Sequence, residues 1–350
     1  MKKFIYILLT IAILSIALVI IFLPKSDSIK TTELKPIKTF GGIDVPEEAI
    51  LSSPSDMVIS EEGEIIVSDS RENQIFIFDT DGNVVNKIGR PGKGPGELQG
   101  PGFIVIKNDT IKVFERGNNR IHYFLKNGQS LRMIPCKFSV SIGSFIFGIN
   151  EDVFFATNGF RTAHLIRHYL ETGEKLDPIG EIEGHSFQIY EMLKIRDALI
   201  KKDVPDALKN DIMLIFAPEG RLYAVFQALP LIKIYSPSGE LEEVAQLNLP
   251  EFEKARIRCS EDNLEGKQKG SPGFWPLRFW RDGVITESGD LILLISDPDK
   301  MILYRFSKDG KLILRYECVE DNIRMVALHG SYLWAYGRET QIFYQFKIEK

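Results

Sequence analysis

A four-residue turn centred on glycine recurs along the chain and cuts it into units of similar length. It appears as Thr80-Asp81-Gly82-Asn83, Lys126-Asn127-Gly128-Gln129, Glu171-Thr172-Gly173-Glu174, Pro237-Ser238-Gly239-Glu240 and Lys308-Asp309-Gly310-Lys311. Successive glycines lie 46, 45, 66 and 71 residues apart. The first two spacings match the roughly 40–45 residues of a four-stranded propeller blade. The last two are a blade plus an insertion of 20 to 25 residues. Within the first unit, four short β-branched or aromatic runs (56–60, 65–69, 74–79 and 84–89) are separated by turn residues, as hairpins require. First turns fall near Gly63, Asn108, Asn150, Gly220, Gly289 and Gly330, so the count is six and a seventh blade has no sequence to build it. The sixth unit stops one strand short, after Ile342–Phe346, while Leu34 to Phe40 resembles the fourth strand of unit one. An N-terminal strand that completes the last blade closes the ring and removes its open edges. The predicted fold is an all-β, six-bladed propeller over residues 34–350, with insertions at 182–210 and 248–281.

The link between the first two units, Gly89-Arg90-Pro91-Gly92-Lys93-Gly94-Pro95-Gly96-Glu97-Leu98-Gln99-Gly100-Pro101, carries a family signature. With Ser68-Asp69, Asn73 to Asp79 and Asn118-Asn119-Arg120-Ile121-His122-Tyr123-Phe124, it resembles the NHL-repeat six-bladed propellers. The specific likeness covers about residues 55–135; later units keep only the strand-and-turn pattern. The whole resembles the exported six-bladed propeller proteins of Bacteroidota, which implies fold and location more than activity.

Residues 1–24 stand apart. Phe4 to Leu23 contains no charge, and as a helix it spans about 30 Å, a bilayer core. Lys2 and Lys3 precede it and orient the N-terminus to the cytoplasm. An uncleaved anchor is therefore expected, then a linker over 25–33 and an extracytoplasmic (periplasmic) propeller held at the inner membrane. A cleaved signal peptide competes, but Phe22-Leu23-Pro24-Lys25-Ser26-Asp27 offers no A-x-A site and no lipidation Cys. Removing Lys2 and Lys3 from the net charge of -5 leaves -7, which opposes adsorption to anionic lipid and, with it, nucleic-acid binding.

In an antiparallel blade, the loop leaving the outer strand and the loop between strands two and three open on one face. Residues 90–102, 182–210 and 248–281 should crowd that face, where loops on a rigid scaffold carry function. The second insertion spaces Ile189, Met192, Leu193, Leu199 and Ile200 as a helix face, ended or kinked by Pro205. It is expected to cover a blade edge or act as a lid. The third holds Phe274, Trp275, Phe279 and Trp280 around Arg278 and Arg281, a composition that stacks sugars, peptides or anions, or else anchors the loop. The short loops contribute Asp69, Arg71, Arg116, Arg120, Arg161, Asp297, Asp299 and Arg338. Basic groups at one channel mouth attract a carboxylate or phosphate, and ordinary solvated charges are the alternative.

Catalytic motifs are weak. His164 and His168 are about 13 Å apart along a strand, too far for one metal, and His122 sits on a strand as a structural residue would. Gly94-Pro95-Gly96 lacks the Gly-Lys-Ser/Thr of a phosphate loop, and Cys136, Cys259 and Cys318 form no C-x-x-C. The favoured function is a membrane-tethered binding module for a protein, peptide or glycan, needing no cofactor. The alternative is a gluconolactonase-like or peptide-amidating-lyase-like enzyme with a central divalent cation such as Ca²⁺. Its candidate ligands are Asp56, Asn118, Asn158 and Asp297.

Overall fold

The glycines that mark the repeat sit where the chain doubles back. Gly63, Gly82, Gly128, Gly173, Gly239, Gly289 and Gly310 have φ between +78° and +92°, a region closed to most side chains. Where the first turn lacks glycine, Asn108 and Asp109 take it at +47° and +59°. The computed structural model describes residues 29–136, 144–148, 150–318 and 322–349. The chain divides after Lys30 into two units. The expected membrane helix lies outside the described residues. Among the described residues no helix is long and apolar enough to cross a membrane.

The described residues from Thr31 onward build six blades of four antiparallel strands; the N-terminal chain supplies the fourth strand of blade six and adds a fifth, parallel strand to blade five. Blade one is Pro54–Ile59, Ile65–Asp69, Gln74–Phe78 and Val84–Ile88. The first strands of successive blades touch one another, and that of blade six (Ile323–His329) touches that of blade one, so they line the centre of a closed ring. Middle strands are buried on both sides; the outer strand Leu241–Gln246 is largely exposed. The core therefore lies between blades. Ile66, Ile75, Ile77 and Ile88 of blade one pack on Ile104, Ile111, Val113 and Phe124 of blade two. Each such side chain contributes about 1.5–3 kcal/mol on burial.

Ring closure uses the N-terminal chain. Lys38–Gly41 pairs antiparallel with Ile342–Lys347, in register Lys38↔Gln345 and Gly41↔Ile342. Phe40 stacks on Phe343 at 4.8 Å and meets the edge of Trp334. A Cβ on Gly41 would lie 2.6 Å from the Gln341 carbonyl oxygen, so this close approach needs glycine. Of the expected strand over 34–40, only the part from Lys38 is strand, and a second short strand precedes the range. Thr31–Glu33 runs parallel to the outer strand of blade five as its fifth member. Leu34 then turns into the core between blades five and six, and Pro36, which has no N–H, cannot extend a ladder.

Both long insertions contain helix. Between Glu181 and Ile212 lie a 3₁₀ turn, Ile189–Lys194, then α1 (Ile195–Ile200) and α2 (Asp206–Lys209). Between Gln246 and Trp280 lies α3, Pro250–Gln268, which the sequence reading left as loop. Pro250 starts it, Glu251 and Glu253 sit in its first turn, Lys267 in its last, all favourable to the helix dipole. Its buried side is Phe252, Ala255, Cys259, Asn263 and Gly266. The spacing is helical, but small and polar residues fill it, so no apolar stripe marks the helix.

Candidate functional site

Where the chain enters an inner strand, blades one, two, five and six carry a β-bulge. The bulge residue of blade five is Arg281 and that of blade six is Arg324. Both stand on the face that carries the insertions, joined there by Arg338 after the second strand of blade six and by Arg278 before blade five. Burial among protein atoms holds Arg281 below the ordinary guanidinium value, and the charges of Arg338, Arg324 and Arg278 lower it further. Arg281 is nevertheless exposed to solvent. Burial, then Arg338, likewise lowers Arg324, while Tyr336 and the Asp69 carboxylate partly oppose this. Arg278 has a carboxylate, Asp211, at 3.0 Å. Arg281 reaches the hydroxyl of Ser296 at 2.8 Å, and Arg258 of α3 reaches the Ser296 carbonyl at 3.0 Å. Among the described residues, neither Arg281, Arg324 nor Arg338 forms a side-chain ion pair. The cluster thus concentrates positive charge on an acidic protein, with Tyr336 nearby, its hydroxyl pushed up to about 12 chiefly by burial.

Below this mouth, the residue after the bulge faces the centre. Asp56 of blade one accepts from the backbone N–H of Ile104 in blade two at 2.8 Å. Asp282 of blade five accepts from that of Val326 in blade six at 2.7 Å, and Ser144 of blade three from Leu214 in blade four at 3.0 Å. These side chains hold neighbouring blades in register. Burial raises Asp56 to about 7, and the charge of Asp282 adds to this. Burial raises Asp282 to about 6. Both residues are half-buried on the inner strands.

The residues singled out from the sequence fall into different settings. Asp69 is fully buried and accepts from the backbone N–H groups of Ser52, Ser53, Arg71 and Glu72 at 2.7–3.0 Å; it shapes the loop. Arg120 binds Glu115 at 2.5 Å and donates to the carbonyls of Lys93 and Glu97, clamping the Gly-Pro loop. Arg71 is exposed, Arg116 lies over Phe103, and Arg161 bonds Gln188 at 3.2 Å while lying over Phe160. Asp297 accepts from the Asp299 N–H. Trp280 is 2% exposed, between Phe279 and Phe306, and offers no free face. Trp275 is 45% exposed and packs on Gly266 of α3. Among the sequence candidates, Arg338 and the insertion residues Arg278 and Arg281 join the arginine cluster, and the buried Asp69 carboxylate acts on Arg324 beside it. Arg324 was not singled out, because a lone Arg at a strand start carries no spacing signal.

Two constellations resemble catalytic ones. His122 lies between Glu115 (Nδ1–Oε1 3.1 Å) and Ser130 (Nε2–Oγ 2.8 Å), the connectivity of a hydrolase triad. Its ring is fully buried and lies tilted against Phe124 at 4.0 Å, and Glu115 also serves Arg120 and Asn118, so the set ties strands together. For a central cation, Asp56 is placed suitably. Asn118, however, is bonded to Gly92 and Glu115, while the Asn158 carbonyl oxygen is buried and accepts nothing among the described residues. No group of three or more His, Cys, Asp or Glu among the described residues fits a metal ion.

Residues 26–223 match DUF5128, the family described as 6-bladed beta-propeller. The chain belongs to this family. No curated protein matches the sequence. Similar solved structures of this propeller's fold include a Bacteroides fragilis protein described as exported (11% identity, 92% of this chain, 100% of that one, TM-score 0.55). A gluconolactonase from Xanthomonas campestris is similar over 90% of this propeller and 99% of its own chain (11% identity, TM-score 0.52). The virginiamycin B lyase of Staphylococcus aureus is similar over 90% and 100% (11% identity, TM-score 0.51). At such identity the likeness is one of fold.

Proposed function

We propose that this propeller is an extracytoplasmic binding module, tethered by the apolar segment 4–23, that takes an anionic glycan, peptide or protein segment on its insertion-bearing face. The observation that carries this reading is the arginine cluster. Arg281 and Arg324 are partly desolvated, repelled by neighbouring guanidiniums and lack an ion pair among the described residues. A carboxylate, sulfate or phosphate entering there relieves that repulsion and gains charge-assisted hydrogen bonds. Trp275, which packs on Gly266 of α3, is 45% exposed on the insertion that leads to Arg278 and Arg281. Calorimetric titration with oligogalacturonate and with hexaglutamate tests the reading. At least one should bind, and Arg281→Ala/Arg324→Ala should weaken it at least tenfold. Equal affinity of the double variant overturns the assignment.

A propeller-type hydrolase or lyase is the second reading, favoured by Asp56 and Asp282, whose raised values suit a carboxylic acid that gives up a proton near neutrality. Activity on a lactone and ester panel that Asp56→Asn abolishes would support it.

A further inference from the structure

Helix α3 adds a further guanidinium to the arginine cluster. Arg258 is exposed on α3 and donates to the Ser296 carbonyl at 3.0 Å, while Arg281 donates to the Ser296 hydroxyl at 2.8 Å. Two arginines from different elements thus meet on one residue, just past the second strand of blade five. Neither forms an ion pair among the described residues. The neighbouring Asp297 carboxylate is turned to the Asp299 N–H at 3.0 Å. Helix α3 stands over the outer part of blade five. Its Glu251 accepts from the Tyr304 hydroxyl at 2.6 Å and pairs with Arg315 at 3.2 Å, on the third and fourth strands. Helix α1 braces it as well: Ser260 donates to the Ile200 carbonyl at 2.7 Å, and Lys267 pairs with Asp197 at 2.7 Å. Arg258 therefore stands on a fixed support. From it the positive charges continue inward, through Arg281 on the inner strand of blade five to Arg324 on that of blade six.

We infer that the ligand is an acidic glycan carrying two or more acid groups, laid along this row of guanidiniums with Arg258 at its outer end. The inference rests on the anion-binding reading above. The guanidiniums form a row rather than a point, and one carboxylate pairs with one guanidinium in a two-bonded fork. A ligand with a single acid group leaves most of the row facing its own repulsion. A ligand with acid groups along its length neutralises the row from α3 inward. Two features favour a glycan over a peptide. Sugar rings hold successive acid groups at nearly fixed spacing, so less freedom is lost on a rigid surface. Trp275 is exposed on the same insertion, its backbone N–H and carbonyl both bonded to Asn263 of α3. Its indole supplies the aromatic surface on which the apolar face of a sugar ring stacks.

The test is calorimetric titration of the full chain, in detergent, with galacturonate and with trigalacturonate. The native chain should bind the trimer at least about tenfold more tightly than the monomer. Arg258→Gln should shrink that gain at least about fivefold. Lys308→Gln removes the same charge from the third-to-fourth-strand turn of blade five, on the opposite face, and should leave the gain as it is. An undiminished gain in Arg258→Gln, or the same loss in both variants, overturns the outer position. The anion-binding reading then still stands if Arg281→Ala/Arg324→Ala weakens the trimer. Binding of hexaglutamate with neither sugar acid bound overturns the glycan and keeps the anion site. Binding of none of the three overturns both.

Discussion

Charges placed by a bulge decide most of what single residues do in this molecule. An Asp in an unfolded chain titrates near 4, whereas Asp56 and Asp282 hold their protons to about 7 and about 6. Between those values the native state binds more protons than the unfolded chain, so stability falls as pH rises from about 4 to 7, at about 1.4 kcal/mol per pH unit for one proton. Asp56→Asn keeps an oxygen for the Ile104 N–H and removes its share of that loss. Urea unfolding at pH 5 and pH 8 should show a smaller drop for the variant, and parallel losses would refute the assignment. Arg324→Gln should leave the melting temperature equal or higher, since it relieves repulsion, while weakening anion binding. Arg120→Ala should cost about 3 kcal/mol, because it strands the fully buried Glu115 beside a freed loop. The sequence made Arg338 visible as a loop charge. It hid Arg281's partnership with Arg324, which arises only when two blades bring their bulges side by side.

At the scale of elements, glycine turns made the blades legible, because a hairpin leaves few residues able to take positive φ. Helix α3 was illegible for the opposite reason: Asn263 and Gly266 occupy core-facing positions where a pattern search expects apolar groups. Asn263 bonds both the N–H and the carbonyl of Trp275, and Gly266 leaves room for that indole. A Cβ at 266 would lie 2.0 Å from the ring, so Gly266→Ala should displace Trp275 and cost about 1–3 kcal/mol. Trp280 and Trp334 are buried. Acrylamide quenching therefore reads the third tryptophan, and it should rise in the variant; unchanged quenching would place the indole elsewhere.

For the whole molecule, the ring is the unit of stability. Removing residues 31–41 strips the outer strand from blade six and the fifth from blade five, leaving open edges. The expected result is loss of a single cooperative transition and gain of oligomers on sizing; a monomer that still melts sharply would show that three strands suffice. Chelator should not change the melting temperature of the propeller if the binding reading holds, and a fall would favour the enzyme reading. The six-fold plan could be counted from turns, but the parallel strand Thr31–Glu33 could not, since three polar residues carry no strand signal of their own. The closing pair also sets an order in time. Lys38 is made long before Gln345, its partner, so it stays single through nearly the whole of synthesis and any passage across a membrane. A chain cut short anywhere before the last strand is left with its clasp unfastened, a ready target for proteases.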